Sequence, residues 1–251
     1  MISINNNSLF ILLIYIICIK FIYKVIFSQH IYMHNTVKNL IDIQNNIRIN
    51  INKLNINTNP KIVAVSKTFK IDKILPLINY GHIDFGENKV QEAVEKWTEI
   101  KKKKPQINLH MIGRLQTNKV KFAVQIFDYI HSVDSEKLAK KISDEQYKIG
   151  KKIKIFLQVN IGNEDQKSGI SKNDLPKLVS CCKENGLDLI GLMCIPPANI
   201  DPEVYFKDMK KLNEALGFTD LSMGMSSDFL KACEHLSTYL RIGSSIFGQR
   251  S

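Results

Sequence analysis

A lysine that follows a short apolar run is the residue in this chain best suited to covalent chemistry. Lys67 comes after the apolar residues 62–65, with Ser66 between them. If that run is a buried strand, the stem of Lys67 lies in a medium of low dielectric, which favours the neutral, nucleophilic amine that reacts with an aldehyde. Position alone favours a simpler interpretation, a strand-end lysine that points to solvent, so the two interpretations remain open.

Small and hydroxyl-bearing residues late in the chain form a second candidate group. Gly243 and Ser244 offer backbone N–H groups and a hydroxyl, and Ser222 or Ser226 adds another hydroxyl beside the start of a predicted helix. Groups of this kind bind phosphate. Each also has an ordinary explanation, since Gly-Ser turns are common at strand ends and Ser226 is well placed to cap a helix.

Eight short apolar or alternating segments must position these residues, and polar stretches of helical length separate them. In chain order they are KIVAVSK, HIDFGEN, LHMIG, YIHSV, KIFLQVNI, LIGLMCI, DLSMGM and YLRIGSSIFG. Nearly continuous apolar runs are typical of parallel strands that are covered on both faces. The pattern predicts an α/β fold, a single (β/α)8 TIM barrel, although an open doubly wound sheet also fits it.

Helix signals occupy the intervals between the segments. Ser135, Ser171 and residues 226–228 stand where helices would begin, and Gly150 and Gly186 where helices would end. We expect no helix after the eighth strand, because the sequence ends at Ser251. Residues 36–54 repeat apolar positions at helical spacing, so they predict an extra N-terminal helix that closes the ring.

In such barrels the functional residues lie at the carboxyl ends of the strands. The first strand ends at Lys67, the second at Asn88, and the eighth carries Arg241 before Gly243. The hydroxyl and glycine residues fall on the seventh and eighth strands, the usual place for phosphate in these barrels. We therefore expect these residues to converge on one site.

The composition indicates which classes of partner and which compartment to expect. The net charge of +11 and the pI of about 9.3 come without a nucleic-acid motif or clustered aromatic residues, so we expect no nucleic acid. Five cysteines show no CxxC pair and no zinc-type spacing, which indicates a reducing compartment, no disulfide framework and no metal.

The first 32 residues differ from the rest. Residues 9–27 are mostly apolar, but Lys20 and Lys24 interrupt them, so we expect no stable membrane span. A signal, an organelle-targeting leader, an interfacial anchor and a mis-assigned start before Met33 all remain open. We place residues 1–32 outside the fold and residues 33–251 in the barrel, and we expect a cytoplasmic protein, with organelle targeting or membrane association through residues 1–32 as the alternative.

Ordered motifs carry a resemblance to a known family. They are AVSKT at 64–68, FGENKVQE at 85–92, HMIGRLQTNKVK at 110–121, LQVNI and KSGI around 157–170, GLMCIPP at 191–197, LSMGMSSDF at 221–229 and LRIGSSIFG at 240–248. Together they resemble the pyridoxal phosphate homeostasis protein family, whose barrel is similar to the barrel domain of alanine racemase. The resemblance runs from about residue 33 to residue 248.

The resemblance implies roles for individual residues. Lys67 would hold pyridoxal 5'-phosphate (PLP), the vitamin B6 cofactor, as a Schiff base, with Asn88 beside the ring and Arg241 facing the pyridine nitrogen. The phosphate would be held by Ser222, Gly243 and Ser244, with Ser226 as a further member of that group.

Two positions depart from the family pattern. Ser244 stands where the family usually has threonine, but it keeps the hydroxyl. His235 and Leu236 stand where a small residue or glycine is common, which could alter the turn into strand eight.

The function that the resemblance implies is PLP homeostasis, with delivery of the cofactor to apo forms of PLP-dependent enzymes. Racemisation needs a second base, which alanine racemase takes from a C-terminal β domain, whereas this sequence ends with the barrel. We therefore expect a non-catalytic cofactor-binding protein, and a monomer. A PLP-dependent amino-acid racemase is the alternative.

Overall fold

A closed barrel of eight parallel strands forms the centre of the structure, a computed structural model that describes residues 20, 33–164, 166–198 and 200–249. The strands are β1 Lys61–Val65, β2 Asp84–Glu87, β3 Asn108–Met111, β4 Tyr129–Val133, β5 Lys154–Gln158, β6 Asp188–Met193, β7 Asp220–Ser222 and β8 Tyr239–Ile242. They follow one another around the barrel in chain order, and β1 pairs with β8 to close it. The predicted (β/α)8 TIM barrel is confirmed, and the open sheet is not.

Helices cover the outside of the barrel. They are α1 Asn35–Lys53, α2 Ile71–Tyr80, α3 Val90–Lys103, α4 Val120–Ile126 after a short 3-10 turn at Thr117–Lys119, α5 Glu136–Lys148, α6 Leu175–Glu184, α7 Glu203–Ala215, α8 Phe229–Glu234 and α9 Ser244–Phe247. Their apolar faces join the strands in one core, with Trp97, Phe85, Phe127 and Phe206 among its largest buried side chains.

The extra N-terminal helix is confirmed, since α1 packs against α2, α8 and α9 and fills the ring between them. Its apolar repeat explains the placement, because Leu40, Ile43 and Ile47 are buried in the core. The proposed leader, residues 1–32, lies outside the described residues except for Lys20. In the described part of the chain, no helix is long and apolar enough to cross a bilayer.

Two details of the helices differ from the sequence prediction. A helix does follow β8, because the few remaining residues suffice for the single turn of α9, which buries Ile246 and Phe247. The helix expected after Ser171 begins only at Leu175, since residues 172–174 form a turn in which the Asp174 N–H donates to Ser171 Oγ at 3.1 Å. Pro176 then occupies the first turn of α6, where its missing N–H costs no hydrogen bond.

Candidate functional site

The turn after β1 carries Lys67 to the carboxyl end of the barrel, where its partly exposed side chain lines a cleft. The next residue, Thr68, has a φ of 67°, which is unusual for a β-branched residue. Its N–H donates to Glu92 Oε1 on α3 at 2.6 Å, and this contact holds the turn in the left-handed conformation. Backbone strain of this kind is concentrated at functional sites, which supports Lys67 as a functional residue.

A buried carboxylate holds the same turn from beneath. Glu87 Oε1 accepts hydrogen bonds from Ser66 Oγ at 2.7 Å, Lys96 Nζ at 3.0 Å and Trp97 Nε1 at 2.9 Å. Lys96 also donates to the Ser66 carbonyl at 3.0 Å and to Glu92 Oε1 at 2.9 Å. The network therefore fixes both residues that flank Lys67: it holds Ser66 directly, and it holds Thr68 through Glu92.

The sequence alone assigns no role to this network. Its members come from the turn after β1, from β2 and from α3, and their spacing follows no single periodicity. The available signal was Glu87 itself, a charged residue at the end of an apolar strand, because such a residue is rarely fully buried unless it is paired. The pKa of Glu92 also reflects the network: partial burial alone would raise it, but Lys96 and the Thr68 N–H stabilise the carboxylate and lower it.

Asn88 follows β2 directly and lines the cleft. It packs tightly against the end of β3, where a Cβ on Gly113 would lie only 2.4 Å from the Asn88 carbonyl oxygen. A glycine is therefore required at position 113 for the backbone of Asn88 to lie where it does.

Arg241 reaches the cleft from inside the barrel. The residue is only 4% exposed, and its Nη1 donates to Ser222 Oγ at 2.6 Å while Nη2 donates to the Cys194 carbonyl at 2.8 Å. Burial lowers the pKa of the guanidinium, although nearby acidic groups, including Asp228, act in the opposite direction. The cleft therefore receives a largely desolvated cation in a fixed orientation.

Ser226 connects the ends of β7 and β8. Its Oγ accepts from the backbone N–H groups of Gly243 at 3.2 Å and Ser245 at 3.3 Å. The expectation that Ser226 caps the next helix is wrong, because Asp228 precedes α8 and its Oδ1 accepts from the Met225 N–H at 2.6 Å. The hydroxyl of Ser226 instead fixes the backbone of residues 243–245, which includes Gly243 and Ser244.

These elements enclose a cleft of about 350 Å³, a size within the range of roughly 300–1,000 Å³ that is typical of small-molecule sites. Its charged side chains are two cations, and the rest are polar or apolar: the lining is Val65, Lys67, Phe69, Asn88, Ile112, Ile195, Met225, Ser226, Ser227, Arg241, Gly243, Ser244 and Gly248. The structure thus brings together all the predicted site residues except Ser222, which lies buried beneath the cleft against Arg241. This arrangement can bind an anion and offers a primary amine to an electrophile.

Comparison with known proteins gives the family. The sequence model of the family "Alanine racemase, N-terminal domain" matches residues 39–251. The pyridoxal phosphate homeostasis protein of Pasteurella multocida is 37% identical over 201 residues, which cover 76% of this chain and 86% of that protein. The chain belongs to the pyridoxal phosphate homeostasis protein family. The homologue from Mus musculus is 37% identical over 211 residues and covers 76% of this chain and 77% of its own length.

Solved structures agree with this membership in the pyridoxal phosphate homeostasis protein family. PipY of Synechococcus elongatus, solved without PLP and with PLP bound, has 31% sequence identity and a TM-score of 0.67, and it covers 80% of this chain and 100% of its own. An alanine racemase of Clostridium difficile has a TM-score of 0.62 at 15% identity and covers 82% of this chain and 57% of its own. That second likeness supports the barrel fold alone.

Proposed function

We propose that this chain binds PLP in the cleft at the carboxyl end of the barrel and holds it as a Schiff base on Lys67. The observation that carries the proposal is the placement of Lys67 on one wall of a small-molecule cleft whose other charged side chain is the buried guanidinium of Arg241. PLP combines an aldehyde, a phosphate and a pyridine nitrogen, so its site requires an amine, groups that bind phosphate, and a hydrogen-bond donor that faces the nitrogen. The cleft lining offers these in Lys67, in the hydroxyls of Ser226 and Ser244, and in Arg241.

The remaining lining residues have roles in the same proposal. Ser226, Gly243 and Ser244 border the cleft at the ends of β7 and β8, where the hydroxyls of Ser226 and Ser244 suit phosphate oxygens and the Gly243 N–H holds Ser226 Oγ in place. Asn88 lies beside the ring. Ser222 was predicted to hold phosphate, and that stays a prediction, because its buried hydroxyl contacts Arg241 and is separated from the cleft lining.

Arg241 favours storage of the cofactor over turnover of an amino acid. PLP serves as an electron sink for amino-acid chemistry, and the sink is deepest when the ring nitrogen is protonated. A guanidinium that faces this nitrogen opposes its protonation, because arginine stays charged and can only donate hydrogen bonds. Arg241 thus suits a non-catalytic protein, in line with the relatives that are named homeostasis proteins.

The wider role that we propose is intracellular PLP homeostasis. A reversible covalent bond to Lys67 keeps a reactive aldehyde sequestered and releases it to apo forms of PLP-dependent enzymes. The partly exposed position of Lys67 at the mouth of the barrel leaves the bond accessible for this exchange. The protein acts as a monomer in the cytoplasm in this proposal.

The test is covalent trapping on the full chain. Purified protein is mixed with PLP, its visible absorption spectrum is recorded, and borohydride reduction is followed by peptide mapping. We expect one label, on Lys67, and no label in Lys67→Ala. Lys70→Ala, in the same loop and exposed, is the matched control and should be labelled like the wild type. Labelling of Lys67→Ala at wild-type levels would refute the proposed attachment.

Delivery requires a separate measurement. Loaded protein is added to an apo enzyme that uses PLP, and reactivation is followed with and without a scavenger of free PLP. Reactivation that persists with the scavenger is expected for direct transfer. Sustained racemisation of added amino acids by the loaded protein would contradict a non-catalytic role.

A further inference from the structure

A chain of hydrogen bonds crosses the barrel interior from the amino end of β2 to Arg241 at the cleft. Asp84 Oδ1 lies 3.0 Å from His110 Nε2, and His110 Nδ1 lies 3.0 Å from His131 Nε2. His131 Nδ1 is 2.9 Å from Ser222 Oγ, which in turn accepts from Arg241 Nη1 at 2.6 Å. The five side chains come from β2, β3, β4, β7 and β8.

Aromatic side chains shield the chain from water. Both imidazoles are fully buried, and His110 stacks on Tyr129 with 4.2 Å between ring centroids while His131 stacks on Phe156 at 4.4 Å. Tyr239 contacts both histidine rings from β8. The interior of such barrels is normally filled by branched aliphatic side chains, so a continuous polar line through it is a special feature.

The chemistry of the two ends fixes the direction of every bond in the chain. Arginine can only donate and an ionised carboxylate can only accept. The Asp84 carboxylate accepts the proton on His110 Nε2, which leaves Nδ1 of a neutral His110 as the acceptor for a proton on His131 Nε2. Nδ1 of a neutral His131 is then an acceptor as well, so it takes the proton of Ser222 Oγ, whose lone pair accepts from Arg241 Nη1.

Electrostatics favour the same arrangement. Burial lowers the pKa of both His110 and His131, so both imidazoles are neutral near neutral pH and each carries one proton. Burial alone would raise the pKa of Asp84, but its hydrogen bonds with His110 and Asn108 lower it and keep the carboxylate ionised. A negative charge thus stands at one end of the chain and the buried positive charge of Arg241 at the other.

We propose that Asp84, His110, His131 and Ser222 are positioning residues, which together orient the guanidinium of Arg241 toward the cleft. The effect on the cofactor rests on the proposed function, whereas the direction of the four hydrogen bonds does not. Each member acts through the next, and the ionised carboxylate at the far end aligns all four bonds. Asp84, at the opposite end of the barrel from the cleft, would thereby influence how Arg241 meets a ligand.

The first test uses the full chain without any cofactor. Nitrogen NMR on protein with 15N-labelled histidine and arginine reports the protonated nitrogen of each imidazole and the rotation of the Arg241 guanidinium. We expect neutral His110 and His131, both protonated on Nε2, and slow rotation of Arg241. A proton on Nδ1 of either histidine would overturn the proposed direction of the hydrogen bonds.

Two variants separate positioning from simple packing in the same experiment. Ser222→Ala removes the acceptor of Arg241 and should speed the rotation of the guanidinium. Ser132→Ala is the matched control, because Ser132 is equally buried on β4 and its hydroxyl has no hydrogen-bond partner among the described residues. Unchanged rotation in Ser222→Ala, in a protein that keeps its folded circular dichroism spectrum, would overturn the positioning role.

The second test follows the bound cofactor in a variant that cannot touch it. Asp84→Asn keeps an oxygen acceptor but removes the charge, and we expect PLP affinity to fall by about two- to thirtyfold, the range for mutations along coupled networks, with a shifted absorption maximum. Asp188→Asn, at the start of β6, is the control and should leave both unchanged. Affinity and spectrum unchanged in Asp84→Asn would overturn the inference. If the wild type takes up no PLP, the proposed function fails, and the NMR experiment alone then tests the positioning of Arg241 by the hydrogen-bonded side chains.

Discussion

Replacing Glu87 with alanine tests whether the turn that carries Lys67 is held from beneath. Three donors converge on one buried oxygen, with Ser66 Oγ at 2.7 Å, Lys96 Nζ at 3.0 Å and Trp97 Nε1 at 2.9 Å from Glu87 Oε1. Glu87→Ala leaves the indole N–H without its acceptor and removes one of the two carboxylates that face Lys96. We expect a large loss of stability together with weaker covalent uptake of PLP.

The structure sets the magnitude of that loss. Removing one partner of a buried ion pair costs about 3–5 kcal/mol of unfolding free energy. Lys96 keeps Glu92 Oε1 at 2.9 Å and the Ser66 carbonyl at 3.0 Å, so its charge remains partly compensated and the lower end, about 3 kcal/mol, applies. Glu87→Gln keeps an oxygen acceptor and loses only the charge, so we expect a loss of about 1–2 kcal/mol.

Urea denaturation of the full chain measures these differences, and the PLP spectrum of each variant reports the turn. Glu95→Ala is the matched control, since Glu95 is exposed on the same helix α3 and should change stability by less than about 0.5 kcal/mol. A loss below about 1 kcal/mol in Glu87→Ala would refute the argument, because a group whose truncation costs so little does not hold three donors in the interior.

Three further predictions concern stability and the site. Burial lowers the pKa of His110 and His131 below 6.5, so below that pH the unfolded chain binds more protons than the folded chain. The free energy of unfolding should therefore fall on acidification, by up to about 1.4 kcal/mol per pH unit for each histidine. Denaturation measured over a pH series should show a shallower dependence of this free energy on pH in His131→Gln than in the wild type. Leu236 has a φ of 61°, so Leu236→Gly should raise the free energy of unfolding by about 0.5–1 kcal/mol. An unchanged or lower denaturation midpoint would contradict this. Gly113→Ala would place a Cβ 2.4 Å from the Asn88 carbonyl oxygen, so it should cost about 1–3 kcal/mol and weaken PLP binding in a spectral titration, whereas wild-type affinity would count against a role for Asn88.

The barrel could be predicted from sequence because its strands are covered on both faces. Such strands appear as nearly continuous apolar runs, and KIVAV and YLRI are both buried along almost their whole length. The closing helix α1 was predictable for the related reason that its buried face repeats at helical spacing. The sequence also drew attention to the turn into β8, where His235 and Leu236 stand in place of a small residue or glycine, and Leu236 has a φ of 61° in that turn.

The supporting contacts of the site could not be predicted in the same way. His131 and Ser222 are 91 residues apart, and Ser66 and Glu87 are 21 apart, so both pairs depend on strand register around the closed barrel. Thr68 opposes its own β-branched preference and is held by Glu92, a residue that neither periodicity nor composition connects with it. Local sequence patterns describe which face is buried, whereas these contacts depend on which faces meet.

Strand β2 explains how the two supporting networks coexist. Side chains alternate between the two faces of a strand, so Asp84 points into the barrel toward His110, while Glu87, three residues later, points outward toward Lys96 and Trp97. One strand therefore supplies a carboxylate to each network, the outer one for the turn of Lys67 and the inner one for Arg241. Neither carboxylate lines the cleft, so each stabilises its network without placing a negative charge beside the phosphate of a bound ligand. A shift of β2 by one residue would exchange the two faces and dismantle both networks together, which is why the register of this strand is the condition on which the whole site depends.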